Sequence, residues 1–209
     1  KLVEESPSPA ISPEIRRDMQ DAAIRLAKAA DYQNVGTMEF LFQDGKFYFI
    51  EVNARLQVEH PVTEAVAGVD LMELMIKIAA GDALPFDQER AGEIRCHAIE
   101  HRINAEDPDN DFMPCPGKIE SLELPGGAGV RVDTHVYPGY TIPSYYDSLI
   151  AKLIITAGDR PAALRRSLRA LGELKVGGIK TTAGMHALVV AHPVFMKGDF
   201  DTHFIEKKG

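Results

Sequence analysis

Two apolar runs of strand length, residues 37–42 and 47–52, flank Asp44-Gly45, a pattern that predicts a β-hairpin. Two registers compete. A two-residue loop pairs Phe42 with Phe47 and Glu39 with Ile50, which sends Glu39 and Glu51 to opposite faces. A three-residue loop with a bulge at Gly45 pairs Phe42 with Lys46 and Glu39 with Phe49. The side-chain pattern favours the second, because it gathers Met38, Phe40, Phe42, Tyr48, Ile50 and Val52 on one almost wholly apolar face. Glu39, Leu41, Phe47, Phe49, Glu51 and Asn53 then share the other, with Glu39 and Glu51 diagonal neighbours roughly 7–8 Å apart. Two convergent carboxylates and an amide suit a hard cation such as Mg²⁺. On these residues alone, a solvated face with ordinary surface acids is the competing reading.

Around the hairpin the period changes to that of helices. Ser12-Pro13 is a helix start, and Ile15, Met19, Ala22, Ala23 and Leu26 fall at helical spacing as far as about Ala30. Pro61 opens a short helix ending near Gly68. Asp70 with Glu73 caps another, whose stripe is Leu71, Leu74, Met75, Ile78 and Ala79 and which Gly81 and Pro85 stop. Residues 82–92 are polar and turn-rich, a linker. Beyond it the texture is of strands, at 94–104, 118–124, 130–137 and 148–156, with antiparallel pairing expected. Asp159 caps a basic amphipathic helix with Leu164, Leu168, Leu171 and Leu174 inward and Arg165, Arg166 and Arg169 in solvent, and a last helix covers 181–191. The fold class is α+β, with a first domain at 1–92 and a second at 93–209.

Composition narrows the classes. The 209 residues are 45% apolar and 26% charged, with no run apolar enough to span a membrane and no signal-peptide pattern. A net charge of −8 argues against nucleic-acid binding, which depends on phosphate neutralisation. Cys96 and Cys115 form neither a disulfide framework nor a metal spacing, in keeping with a reducing, cytoplasmic setting. The chain starts at Lys1, so a processed product or a fragment is expected.

Arg55, Gln57 and Glu59 alternate after the hairpin and, if the chain stays extended, point to the side of Glu51 and Asn53. An arginine there can hold a planar oxyanion with both arms of its guanidinium, and Glu59 is a candidate general base. A structural Arg–Glu pair is the alternative. Arg102 ends a strand and Lys1 begins the chain; neither means much in isolation. Gly126-Gly127-Ala128-Gly129 lacks the Lys-Ser/Thr and strand-to-helix setting of a phosphate loop and reads as a hairpin turn.

The run from Glu51 to Glu64, Glu-Val-Asn-Ala-Arg-Leu-Gln-Val-Glu-His-Pro-Val-Thr-Glu, resembles the signature of the biotin-dependent carboxylases, in their biotin carboxylase component. Arg102-Ile-Asn-Ala-Glu-Asp-Pro108, Pro114-Cys-Pro-Gly-Lys-Ile119, Tyr145-Tyr-Asp-Ser148 and Lys1-Leu-Val-Glu-Glu5 are similar to further family motifs, in the family's order. The resemblance implies the second half of an ATP-grasp domain followed by a biotin carboxylase C-terminal antiparallel-sheet domain. It implies that Glu39, Glu51 and Asn53 bind Mg²⁺ or Mn²⁺, with Glu39, Leu41 and Glu51 at the ATP. It places bicarbonate on Lys1, Arg55, Gln57 and the backbone of Val58, and makes Glu59 its base and Arg55 catalytic. Arg102 would bind biotin and stabilise charge on its ureido oxygen.

The implied reaction is carboxylation of carrier-bound biotin through carboxyphosphate, within acetyl-CoA carboxylase of fatty acid biosynthesis or a related acyl-CoA or pyruvate carboxylase. The implied partners are the biotin carboxyl carrier protein, carboxyltransferase subunits and the N-terminal half of the enzyme. The family's glycine-rich lid and N-terminal domain are not among these residues, so turnover by the chain alone is not expected. Ala128 stands where bacterial relatives usually carry an aromatic residue at a dimer surface, which leaves a homodimer open. A non-catalytic docking module and another ATP-grasp ligase are the alternative functions; the Arg102 motif disfavours the latter.

Overall fold

The computed structural model describes residues 1–205. Contacts divide the chain into two compact units, residues 8–94 and a second that joins residues 1–7 to the chain from residue 95 onward. The expected boundary at 92/93 thus falls two residues later, and the first seven residues move to the second unit. The reason is hydrogen bonding: β1 (Val3–Ser6) is a strand that pairs with residues 98–101 of the second unit. Residues 206–209 of the expected second domain lie outside the described residues.

In the 8–94 unit, α1 (Pro13–Ala29) starts where Ser12 accepts a bond from the Ile15 N–H at 3.3 Å. Tyr32 packs so closely on Gly36 that a Cβ there would lie 2.4 Å from its hydroxyl, and the chain then enters β2 (Thr37–Gln43) and β3 (Lys46–Asn53). α2 (His60–Ala67) ends at left-handed Gly68, and α3 (Leu71–Ala79) starts at Asp70, which caps the Glu73 N–H at 2.8 Å. Buried Glu64 accepts from the Leu71 N–H at 2.9 Å and so ties α2 to α3. The expected linker contains a single helical turn, α4 (Gln88–Ala91), capped by Asp87. The stripes of α1 and α3 are at most half-buried, and neither helix has a fully buried residue.

The other unit is built on a four-stranded antiparallel sheet in the order β1, β4 (His97–Asn104), β11 (Leu149–Ala157), β9 (Val130–Thr134). Between β4 and β9 the chain forms short pieces: β5 (Glu106–Asp107), β6 (Met113–Pro114), β7 (Gly117–Lys118) and β8 (Ser121–Glu123). β10 (Thr141–Ile142) pairs with β7, and β12 (Lys175–Gly177) with β8. The expected strand at 118–124 is therefore broken in two. The glycine run joins strands of different sheets and is not a hairpin turn. At left-handed Gly129 a Cβ would lie 2.4 Å from the Thr156 carbonyl oxygen.

α5 (Arg160–Glu173), capped by Asp159, and α6 (Ala183–Ala191) cover one face of the sheet, and α7 (Pro193–Lys197) follows. Ile99, Ile103, Leu153, Ile155, Leu164 and Leu171 form the core there. Of the four leucines expected inward on α5, Leu168 faces out, and Arg166 leaves the solvated face to donate to the Thr156 carbonyl. Strand alternation gives the other face a charged row: Glu4, Glu100 and Arg102, then Lys152 opposite Arg102 and Asp133 opposite Lys152.

Candidate functional site

The hairpin reconciles the two registers by an unforeseen device. Asp44 and Gly45 both have positive φ, 52° and 74°, so the turn is a two-residue loop that pairs Phe42 with Phe47. A bulge at Ile50 then shifts the ladder by one residue and sets Glu39 directly opposite Glu51 and Thr37 opposite Asn53. The expectation of a common face for the two glutamates holds, but the bulge that delivers it lies next to the acids and not at the turn. The flanks change as well. Phe47 and Phe49 lie on the apolar face, where both meet Phe40 edge-on at 5.5 and 6.0 Å. Leu41 stays with the glutamates and Tyr48 joins it.

Directly opposed carboxylates repel unless something positive or hydrogen-bonding lies between them. Here the Asn53 amide nitrogen does so, donating to Glu39 Oε1 at 3.0 Å and to Glu51 Oε1 at 2.9 Å. Its oxygen turns to Arg55 Nη2 at 3.5 Å, while Arg55 Nη1 donates to Gln57 Oε1 at 3.0 Å. Glu39, Glu51, Asn53, Arg55 and Gln57 thus form one hydrogen-bonded cluster. Two carboxylates and an amide suit a hard divalent ion once the Asn53 side chain turns its oxygen, here toward Arg55, into the point its N–H₂ group fills. No group of three or more His, Cys, Asp or Glu suited to a metal occurs among the described residues, so water or a bound ligand would have to complete the shell.

The alternation expected as far as Glu59 ends earlier. Val58 and Glu59 form a turn, and Glu59 is the residue that precedes α2 (φ −79°, ψ 8°). His60 makes a 2.8 Å contact to the Gln57 carbonyl, which closes that turn. Glu59 and Val58 are half-buried, whereas Arg55 is exposed.

Arg102 belongs to the sheet of the other unit. Its Nη2 lies 2.5 Å from Glu4 Oε1, with both side chains mostly buried (17% and 12% exposed). Glu4 went without a role in the sequence reading although it lies in the quoted Lys1–Glu5 motif. Only the β1–β4 pairing, which brings Glu4 to an arginine 98 residues further along the chain, reveals it. Lys1 is exposed two residues ahead of β1.

The family description "Carbamoyl-phosphate synthase L chain, ATP binding domain" matches residues 1–86. "Biotin carboxylase C-terminal domain" matches residues 100–207, more than half of the chain, which therefore belongs to the biotin carboxylase family. The chain is 50% identical over 208 residues to a biotin carboxylase of Nostoc, a match that covers 99% of this chain and 46% of that protein. To a pyruvate carboxylase subunit of Methanothermobacter thermautotrophicus it is 49% identical over 207 residues, 99% and 42% of the two. Among solved structures, the biotin carboxylase domain of a thermophilic 2-oxoglutarate carboxylase bound to bicarbonate superposes with a TM-score of 0.97 at 43% identity (99% and 47% of the two chains). A biotin carboxylase–β-γ-ATP complex from Campylobacter jejuni gives 0.95 at 45% (99% and 46%). The chain spans less than half the length of these relatives. The fold is α+β, an ATP-grasp portion followed by the biotin carboxylase C-terminal domain.

Proposed function

We propose that this chain carries the metal, bicarbonate and biotin residues of an enzyme that carboxylates carrier-bound biotin with bicarbonate and ATP. The observation that carries the proposal is the Asn53 bridge between opposed Glu39 and Glu51, with the Arg55 guanidinium on its far side. Glu39, Glu51 and Asn53 would hold Mg²⁺ or Mn²⁺, whose charge offsets that of the ATP phosphates. Leu41, on the same face, would border the nucleotide. Arg55, Gln57, Lys1 and the Val58 N–H would orient bicarbonate, and Glu59 would take its proton as the oxygen attacks the γ-phosphate. Carboxyphosphate and ADP result. Arg102 would then hold the biotin ureido oxygen while the carboxyl passes to N1 and the departing phosphate takes the N1 proton. Acetyl-CoA carboxylase is the assembly we favour, with a biotin carboxyl carrier protein and a carboxyltransferase as partners. The 209 residues by themselves, which carry no glycine-rich lid, are proposed not to turn over ATP.

The test is ATP-dependent transfer of labelled bicarbonate to free biotin by the protein that contains this chain. Transfer is expected, at rates well below wild type in Glu51→Gln at limiting Mg²⁺ and in Arg102→Ala at limiting biotin. Wild-type rates in both variants would refute the reading.

A further inference from the structure

On β4, the strand that carries Arg102, the pairing with β1 ends at Val3. One residue further, the Arg102 N–H still reaches the Leu2 carbonyl at 3.0 Å. The Arg102 carbonyl, by contrast, is taken by two side chains of the α6 region: His186 Nε2 at 2.6 Å and Thr182 Oγ1 at 3.1 Å. Thr182 also spans the next residue but one. Its hydroxyl accepts from the Asn104 N–H and its own N–H donates to the Asn104 carbonyl, both at 3.0 Å. Thr182 and His186 are fully buried, at 0% and 1% exposure.

The imidazole is fixed from behind as well. His101, on the helix-covered face of β4, meets the His186 ring edge-on at 5.2 Å and is itself bonded to Ser167 of α5 at 2.9 Å. Burial holds His186 neutral, down to about 4 against the upward pull of its bond to the Arg102 carbonyl, so it is an N–H donor at neutral pH. Burial, and next the neighbouring His186, also push His101 well below its ordinary value. Together these groups clamp the backbone of Arg102 from one face of the sheet while Glu4 holds its guanidinium on the other.

A buried imidazole and hydroxyl spent on one strand carbonyl are more than the ladder needs to continue. We infer that Thr182 and His186 are positioning residues that set the angle at which Arg102 meets biotin. The inference rests on the biotin role proposed for Arg102.

The experiment uses the protein that contains this chain. His186→Phe, which keeps a ring but loses the N–H, is expected to raise the KM for free biotin about tenfold and leave the KM for ATP within about twofold. His186→Gln, which retains an N–H donor, should recover most of that loss. Thr182→Val, which keeps the volume, carries the same test should His186→Phe fail to fold, with Thr182→Ser as its rescue. If Arg102→Ala abolishes biotin carboxylation while the soluble positioning variant keeps the wild-type biotin KM, the clamp is refuted and the biotin role stands. A uniform fall in kcat with both KM values unchanged also refutes it, as a merely structural effect. If Arg102→Ala carboxylates biotin normally, the underlying reading fails and the clamp with it.

Discussion

Glu39, Glu51 and Asn53 stand on a two-stranded hairpin whose Tyr48, Phe49, Ile50 and Val52 are each 42–55% exposed. Arg102 stands in a strand flanked by partners on both edges and backed by helices, between Ile99 and Ile103, which are 0% and 1% exposed. The hairpin cluster is thus ordered by its own polar contacts, Asn53 to two acids and Arg55 to Gln57. Arg102 is ordered by the fold, through hydrogen bonds to its backbone and an ion pair to Glu4. Sites of the first kind can lose function with little loss of stability. Sites of the second kind cannot be altered around their base without a stability cost.

The largest expected effects lie in the sheet. Leu153→Ala, at 1% exposure, should cost about 2–5 kcal/mol in urea denaturation, whereas Phe40→Ala in the hairpin should cost about half as much. Equal losses would break the contrast. Next comes the tie between β1 and the helices. Arg160 Nε bonds Glu5 Oε2 at 2.8 Å, and His97 Nε2 reaches the same oxygen at 2.9 Å, with Glu5 8% exposed. Arg160→Ala leaves Glu5 mostly buried with less compensation and should cost about 3 kcal/mol by the same measurement.

Acid gives a smaller and graded effect. His186 is at about 4 in the folded chain and near its ordinary 6.5 when unfolded, so the unfolded chain binds more protons between these values. Stability from this group is fully present above 6.5 and lost as pH falls toward 4. Burial works against ionisation of Glu5, but the bonds and charges of His97 and Arg160 outweigh it and hold its carboxyl below 4.5. Its contribution is lost only below 4.5. Melting temperature should therefore fall from pH 6.5 downward, and His186→Gln should flatten the upper part of that slope. An unchanged slope would contradict the buried neutral imidazole.

Much of this was legible in the sequence wherever the cause is local. Ser12, Asp70 and Asp159 cap the helices they were expected to cap, because a side chain three residues away suffices. The glutamate pair was legible as a common face, but not its register. Asp44-Gly45 suits both loop lengths, and the common face comes from a bulge at Ile50 that no residue type announces. The long-range contacts were not legible. Nothing near Val3 says that it pairs with His101, nor anything near His186 that it holds a carbonyl 84 residues away. Leu168 was misjudged because the α5 leucine spacing drifts round the helix and leaves it 37% exposed.

The most direct test is a matched pair of variants in the protein that contains this chain, assayed by transfer of labelled bicarbonate to biotin. Glu51→Gln should leave stability within about 0.5 kcal/mol of wild type and raise the Mg²⁺ concentration needed for half-maximal rate at least about tenfold, with the biotin KM unchanged. Arg102→Ala should do the reverse, raising the biotin KM and leaving the Mg²⁺ requirement alone. The account is contradicted if Glu51→Gln shows the wild-type Mg²⁺ requirement or if Arg102→Ala shows the wild-type biotin KM.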